Sequence, residues 1–152
     1  MQAAGPENQP IAVSVVVPVK DEEENVIPLA TEIAAALDGV ESFEIIYVDD
    51  GSGDRTPAVI EEAGKAFPML RGIRHKQCAG QSTAINTGVH AARGELVATL
   101  DGDGQNDPAD IPALLKKYRE ESATGSSPIM IAGWRAKRKD TWLKRISSKV
   151  AK

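Results

Sequence analysis

Short runs of β-branched and other apolar residues alternate along the chain with longer segments in which apolar residues recur every three or four positions. The short runs predict strands over residues 11–17, 43–48, 70–74, 96–100 and 129–132, and those at 11–17 and 96–100 are expected to be buried. The longer segments predict helices over 26–37, 57–67, 81–93 and from Pro112 onward, with a single turn around Pro108 and a last, basic helix from Asp140. This alternation predicts an α/β fold with a mostly parallel sheet and helices on both faces.

Local signals mark where two of these helices begin and end. Thr56 is the predicted N-cap of the second helix, because Pro57 suits the first helical position. The third helix is expected to end before Gly94. Its predicted inward residues are Ala84, Ile85, Gly88, Val89 and Ala92.

The length of 152 residues suits one domain with an aliphatic core, since only 4% of the residues are aromatic. We expect residues 1–10 to be a disordered lead, because they have neither the basic start nor the apolar stretch of a signal peptide. Residues 11–134 are the predicted globular core. No run reaches 18 apolar residues, so no membrane span is expected. Cys78 is the only cysteine, which rules out an intrachain disulfide.

Charge is distributed unevenly along the chain. Residues 135–152 contain eight Lys or Arg and one acidic residue, whereas the chain as a whole has a net charge of −4. A basic end on an acidic body favours one local anionic partner over nucleic acid. On a helical projection of this basic segment, one face is apolar: Trp142, Leu143, Ile146 and Val150. The segment therefore suits either a helix at an anionic membrane surface or a helix packed on its own domain.

The most informative stretch is Leu96–Asp107, where an apolar run leads into Asp101, Asp103 and Gln105 at alternate positions. Hard oxygen ligands without nearby His or Cys favour Mg²⁺, Mn²⁺ or Ca²⁺ over zinc. A calcium EF-hand is excluded, because its sixth and twelfth positions would be Asn106 and Pro112. Two interpretations remain from these residues alone: a metal site that holds a diphosphate, or a solvated turn.

Two other predicted strands also end in acidic loops, over residues 20–24 and 49–53. The carboxyl ends of parallel strands lie at one edge of a sheet, so the three loops are expected to meet in one crevice. Each loop alone could be a turn or a helix N-terminus, but their coincidence favours a binding site. The Gly51-Ser52-Gly53 sequence lacks the third glycine of a dinucleotide-binding loop, and no Gly-Lys-Ser/Thr phosphate loop occurs.

Four ordered motifs carry a resemblance that covers about residues 11–150: VVVPVKDEEEN (15–25), DDGS (49–52), GQSTAINTG (80–88) and RGELVATLDGDGQNDP (93–108). Together they resemble family 2 glycosyltransferases. Within that family they resemble the dolichol-phosphate mannose synthase-like branch, which includes bacterial enzymes that load sugars onto undecaprenyl phosphate. The resemblance implies a GT-A fold and a hexosyltransferase-type enzyme. The implied reaction is an inverting transfer from a UDP- or GDP-sugar to a polyprenyl phosphate, assisted by Mg²⁺ or Mn²⁺.

The resemblance also implies roles for individual residues. The nucleotide would be lined by Pro18, Val19 and Glu22 and bound through Asp49 or Asp50. The metal and diphosphate would be held at Asp101, Gly102 and Asp103, with Gln105 as a further metal ligand and Asp103 as a catalytic residue. Arg135 and Arg138 are the catalytic candidates for binding the acceptor phosphate. A cytoplasmic location is expected, with the basic segment as a candidate contact for the cytoplasmic face of a membrane.

Two departures from the family pattern limit these expectations. Lys20-Asp21-Glu22 stands where the family often has Tyr-Asn-Glu, which leaves base stacking and base identity open. Family members normally continue beyond this chain, so a fragment that binds a nucleotide sugar without turnover is an open alternative. A glycosyltransferase with a saccharide acceptor and a nucleotidyltransferase are further alternatives. The chain lacks the Gly-rich phosphate loop that a nucleotidyltransferase would have after the first strand.

Overall fold

The computed structural model describes residues 10–125 and 130–133, in which strands and helices alternate as predicted. The strands are β1 (Val13–Val19), β2 (Phe43–Asp49), β3 (Leu70–Arg74) and β4 (Leu96–Thr99). The helices are α1 (Val26–Leu37), α2 (Thr56–Ala66), α3 (Gln81–Ala91) and α4 (Ile111–Ser122). A 3-10 turn at Pro108–Asp110 precedes α4, in agreement with the single turn expected around Pro108.

The four strands form one parallel sheet in the order β3-β2-β1-β4. β1 lies in the middle, and its first residue, Val13, is in register with both Phe43 of β2 and Leu96 of β4. Because every pair is parallel, the carboxyl ends of all four strands lie at the same edge. The loops after β1, β2 and β4 therefore begin side by side, as the sequence predicts.

Helices cover both faces of the sheet, which confirms the predicted α/β architecture. Alternate residues of a strand point to opposite faces. On one face, Val15 and Val17 of β1 belong to the main core, formed with α1, α2 and α4. On the other face, Val16 packs with Ile46, Val48 and Ala84 beneath α3.

Tyr47 is the one aromatic side chain that is fully buried among the residues that the structure describes. Its hydroxyl donates a hydrogen bond of 2.9 Å to the carbonyl oxygen of Val26, the first residue of α1. A buried phenol needs such a partner, and burial raises the pKa of Tyr47 above its ordinary value. The contact therefore ties the start of α1 to the middle of the sheet.

The structure differs from the predictions at the predicted fifth strand. Met130–Gly133 have no regular structure and pair with no described strand, and Met130 is 88% exposed. Strand propensity depends on packing against neighbours, and an exposed apolar run lacks that packing. The prediction is wrong over residues 130–132, and Ile129 lies outside the described residues.

The α3 face of the sheet is also less covered near β4 than predicted. α3 packs on β1 and β2, so Val97 of β4 is 40% exposed and Val89 of α3 is 43% exposed. The prediction that β4 is a buried strand is therefore wrong on this face, and so is the inward assignment of Val89. Ala84 and Gly88, by contrast, are buried as predicted.

Thr56 does not cap α2 as predicted. It is the first residue of the helix, and its amide nitrogen donates to Oδ1 of Asp54 at 2.9 Å. Its hydroxyl oxygen instead accepts a hydrogen bond from the Glu22 amide at 2.9 Å. The Thr56 hydroxyl therefore binds the loop after β1 and not the start of α2. Residue spacing within the helix could not reveal this contact.

Glu44 anchors the far end of α3, at the amino edge of the sheet. Its carboxylate is 2% exposed and accepts hydrogen bonds from the Ser14 hydroxyl and the Arg93 amide, both at 2.7 Å, and from the Arg71 guanidinium at 3.0 Å. Burial raises the pKa of Glu44, but the hydrogen bonds from Arg93, Ser14 and Arg71 outweigh it and lower the pKa from 4.5 to about 2. The carboxylate is therefore stabilised in its charged form.

We expect Glu44→Gln to lower the free energy of unfolding by about 3 kcal/mol at pH 7. Because the folded pKa is depressed, this contribution is present above about pH 5 and is lost as the pH falls toward 2. Urea unfolding between pH 7 and pH 3 measures the difference between wild type and variant, which should shrink in acid. Glu61→Gln is the control, because Glu61 is exposed and its ion pair with Lys65 lies at the surface. Equal effects at both positions would contradict the anchoring role.

Gly88 allows α3 to approach the sheet closely. A Cβ at this position would lie 2.3 Å from Cγ1 of Val16, whereas a Cβ at Gly64 of α2 would be 3.5 Å from the nearest atom, the Leu70 carbonyl oxygen. We expect Gly88→Ala to destabilise the fold by about 1–3 kcal/mol through overpacking. Gly64→Ala should be neutral or stabilise by up to about 1 kcal/mol, because Ala favours helix. Thermal unfolding of the two variants tests this opposite sign, and equal shifts would refute it.

Candidate functional site

A cleft of about 360 Å³ opens at the carboxyl edge of the sheet, where the loops after β1, β2 and β4 meet. It is lined by Pro18, Val19, Lys20, Glu22, Asp50, Cys78, Gly80, Gln81, Asp101, Gly102 and Asp103. The fold thus brings together most of the residues that the sequence singled out, from three loops far apart in the chain.

Four of the lining residues were not predicted: Lys20, Cys78, Gly80 and Gln81. Cys78 and Gly80 belong to the segment between β3 and α3, and Gln81 is the first residue of α3; residues 75–81 include no acidic residue that would draw attention to them. The available signal was the parallel topology, because the loop after β3 must reach the same edge as the other three. Gly80 and Gln81 also open a predicted helix at that edge.

The loop after β1 is hydrogen-bonded to the loop after β2. The Asp21 amide donates to the Ser52 hydroxyl at 2.9 Å, and the Gly53 amide donates to Oδ1 of Asp21 at 2.7 Å. Asp21 adopts a left-handed backbone with φ of 54°, which Asp tolerates better than most residues. Oε2 of Glu23 accepts from the Arg55 amide at 3.0 Å. These two acidic residues therefore hold the loops together.

Glu22 has a different environment from its acidic neighbours. Its side chain lines the cleft, and its Oε2 accepts a hydrogen bond of 2.6 Å from the Asn25 side-chain amide. This contact within the loop holds the carboxylate at the cleft wall. Glu22 is thus the member of the acidic run that faces the cleft.

The Asp50 carboxylate is held in the cleft by hydrogen bonds from four groups. Its carboxylate accepts from the Ala79 and Gly80 amides, both at 2.8 Å, and from the Cys78 thiol at 3.2 Å. Nδ1 of His75 lies 2.8 Å from Oδ1 of Asp50 and carries the donated hydrogen, because a carboxylate can only accept. The hydrogen bonds from Ala79 and His75, helped by those from Cys78 and Gly80, hold the pKa of Asp50 well below its ordinary value although burial opposes them.

Asp49 lies on the other side of the sheet from Asp50. Its Oδ1 accepts from the Ser52 amide at 3.0 Å, and its Oδ2 lies 3.1 Å from Nε of Arg74, an ion pair without hydrogen-bond geometry. Asp49 follows Tyr47 on one face of β2, whereas Asp50 continues the face of Val48. Of the two residues that the sequence left as alternatives, only Asp50 lines the cleft.

The loop after β4 closes the other side of the cleft. Gly102 is required there, because a Cβ would lie 2.4 Å from Cγ1 of Val19 and 2.8 Å from the Pro18 carbonyl oxygen. Oδ1 of Asp103 accepts a hydrogen bond of 3.1 Å from the Gln105 amide. The Gln105 residue itself is not part of the cleft lining.

Two carboxylates in this loop, Asp101 and Asp103, line the cleft together. Within residues 10–125 and 130–133, no group of three or more His, Cys, Asp or Glu is arranged to hold a metal ion. Mg²⁺ typically takes one or two protein carboxylates and completes its shell with phosphate oxygens and water. The donor set of Asp101 and Asp103 fits that mode of binding. Arg135 and Arg138 lie outside the described residues.

A family model for "Glycosyl transferase family 2" matches residues 14–150, nearly the whole chain. The chain belongs to this family. In this family 2 chain, no helix among the described residues is long and apolar enough to cross a bilayer.

Two relatives of this chain are both named as enzymes that act on a polyprenyl phosphate. A dodecaprenyl-phosphate galacturonate synthase of Rhizobium johnstonii is 38% identical over 143 residues, which are 92% of this chain and 41% of that protein. An undecaprenyl-phosphate 4-deoxy-4-formamido-L-arabinose transferase of Aeromonas hydrophila is 36% identical over 140 residues, 91% of this chain and 41% of that protein. The family 2 chain thus spans about two fifths of the length of these curated relatives.

A solved structure agrees with the fold. The glucosyl-3-phosphoglycerate synthase of Mycobacterium tuberculosis, in complex with uridine diphosphate, superposes with a TM-score of 0.58 at 25% identity. The match covers 71% of this chain and 40% of that one. The parallel sheet with helices on both faces is therefore the GT-A-like architecture that the sequence predicts.

We expect Asp50→Asn to destabilise the protein by about 2–3 kcal/mol, because its NH₂ group would replace one of the two carboxylate oxygens and face either the Ala79 amide or the Gly80 amide, donor against donor. Asp38→Asn, an exposed residue after α1, is the matched control and should change stability by less than about 0.5 kcal/mol. Urea unfolding at pH 7 measures both. If Asp50→Asn has the same free energy of unfolding as the wild type, the Asp50 hydrogen bonds make no net contribution to stability.

Proposed function

We propose that this chain contains the donor-binding core of a metal-assisted, inverting glycosyltransferase that transfers a sugar from a UDP- or GDP-sugar to a polyprenyl phosphate. The observation that carries the proposal is the cleft itself. It combines Asp50, Asp101 and Asp103 at the carboxyl edge of a parallel sheet, in a chain that belongs to family 2.

The nucleotide would lie along the ends of β1 and β2. Pro18, Val19 and Glu22 line that part of the cleft, and Asp50 forms its floor. The Asp50 carboxylate stays ionised because of its hydrogen bonds, so it can only accept hydrogen bonds from a ligand. That restricts any ligand group facing it to a donor, such as a base imide or a ribose hydroxyl. Asp49 drops out of the proposal, because it is paired with Arg74 outside the cleft.

The diphosphate would lie at the end of β4. Asp101 and Asp103 would hold a Mg²⁺ or Mn²⁺ ion, with Gly102 letting the loop approach the end of β1. A divalent cation bound there would supply neutralisation of the charge that grows on the leaving diphosphate. Gln105 is proposed only as a further ligand, through its side-chain oxygen, because the residue does not line the cleft. Its backbone amide donates to Oδ1 of Asp103.

The transfer needs little proton chemistry from the protein. An acceptor phosphate oxygen would form the bond to the anomeric carbon while the bond from that carbon to the donor diphosphate breaks, and the nucleoside diphosphate leaves. A phosphate monoester is already anionic at neutral pH, so no strong general base is required. The polyprenyl phosphate acceptor is supported by the descriptions of both relatives.

Arg135 and Arg138 are our candidates for binding the acceptor phosphate, because guanidinium groups offer paired donors to phosphate. The basic segment 135–152 would lie at an anionic membrane surface on the cytoplasmic side. For the sugar we propose a hexose derivative. The galacturonate relative supports this choice, whereas the arabinose-type relative indicates a different sugar.

A second candidate function is a nucleotide-sugar-binding module without turnover. The observation that supports it is the cleft itself, where the roles proposed for Asp50, Asp101 and Asp103 concern only the nucleotide and the diphosphate. Sugar transfer measured with the 152-residue chain would exclude this candidate. Nucleotide binding without transfer would favour it.

We expect one of UDP and GDP to bind in a Mn²⁺-dependent manner, and Asp103→Asn to remove that dependence while weak metal-free binding persists. The reason is that the variant loses a charged metal ligand but leaves the Asp50 side of the cleft intact. Calorimetric titration with and without Mn²⁺ measures both states. Asp110→Asn serves as the control, because Asp110 is exposed and does not line the cleft. Unchanged Mn²⁺ dependence in Asp103→Asn would refute the metal assignment.

A further inference from the structure

The geometry points to Gln81 as a positioning residue that orients Asp101 toward the bound divalent cation. This inference rests on the proposed function, since it assumes that Asp101 binds the metal. Gln81 carries no charge, and although it lies in the 80–88 motif, no role was predicted for it from the sequence. Its importance comes from what its side chain contacts.

The side-chain amide of Gln81 bridges two loops of the cleft. Its Nε2 donates a hydrogen bond of 2.8 Å to Oδ1 of Asp101, and both residues line the cleft. The two residues are 20 positions apart, at the start of α3 and just after β4. The amide therefore fixes one carboxylate oxygen of Asp101 from outside the metal loop.

The position of Gln81 is itself fixed. It follows Gly80, whose amide donates to Oδ2 of the buried Asp50 at 2.8 Å. At the other end of α3, Glu44 accepts the Arg93 amide at 2.7 Å. A helix held at both ends is a rigid base from which a side chain can orient a neighbour.

A neutral amide is suited to this task. It donates a directed hydrogen bond to Asp101 without cancelling the negative charge that a cation needs, as Lys or Arg at the same position would. Carboxylates that bind metals are commonly oriented by such hydrogen bonds, and losing the partner typically costs about 10–100-fold in metal affinity. Gln81 is exposed to solvent, so we expect the lower end of this range.

The contact also joins the two halves of the cleft. Consecutive residues of one helix start, Gly80 and Gln81, bond to Asp50 on the nucleotide side and to Asp101 on the diphosphate side. The start of α3 therefore contacts both the nucleotide side and the diphosphate side of the proposed site.

The test is Gln81→Met, which keeps the side-chain length but cannot donate, together with Gln81→Ala. Nucleotide affinity is measured by calorimetry with and without Mn²⁺, using whichever of UDP and GDP binds. Mn²⁺ binding is followed separately by electron paramagnetic resonance in the presence of that nucleotide. We expect the affinity gained from Mn²⁺ to fall about tenfold in both variants, while affinity without Mn²⁺ is unchanged. Asn86→Ala, at an exposed amide of the same helix, should behave as wild type.

The outcomes separate this inference from the proposed function. If Asp101→Asn abolishes the Mn²⁺ effect but both Gln81 variants retain it in full, the positioning role is overturned and the proposed function stands. If the Gln81 variants lose affinity equally with and without Mn²⁺, Gln81 only supports the helix, and the positioning role is again overturned. If wild type gains nothing from Mn²⁺, the metal assignment fails and this inference fails with it.

Discussion

The cleft depends on the hydrogen bonds that the Asp50 carboxylate accepts from the segment before α3. A charge that is 4% exposed is costly to bury unless hydrogen bonds compensate it. Here the compensation comes from backbone amides of Ala79 and Gly80, and these amides belong to the segment that leads into α3. The same interaction therefore stabilises a buried charge and decides where a helix begins.

With α3 in this position, several segments around the cleft pack closely against one another. Gly51 has a φ of 71°, and a Cβ there would lie 2.7 Å from the Cys78 amide nitrogen, so the loop after β2 touches the segment before α3. Gly88 and Gly102 allow equally close approaches at Val16 and Val19. These three glycines thus allow contacts that any side chain would prevent. The close packing fixes the loops around the cleft, and with them the carboxylates that line it.

The sequence predicted the sheet and the edge at which the site lies, because these follow from alternating patterns and from parallel connectivity. It could not choose between Asp49 and Asp50, since a choice of face depends on the exact end of β2. It also missed Gln81 and misassigned Thr56, whose partners Asp101 and Glu22 are 20 and 34 positions away in the chain. Hydrogen bonds over such separations leave no periodicity, so only the folded chain reveals them.

The hydrogen bonds between the loops after β1 and β2 have a consequence for how this protein can vary. Side-chain oxygens of Asp21 and Glu23 accept hydrogen bonds from the backbone amides of Gly53 and Arg55. In the opposite direction, the hydroxyl oxygens of Ser52 and Thr56 accept from the backbone amides of Asp21 and Glu22. Substitutions in one loop change the partners of the other, so their energetic effects will not add. Residues 21–23 and 52–56 are therefore coupled, and a substitution in one loop needs a matching change in the other to keep these hydrogen bonds.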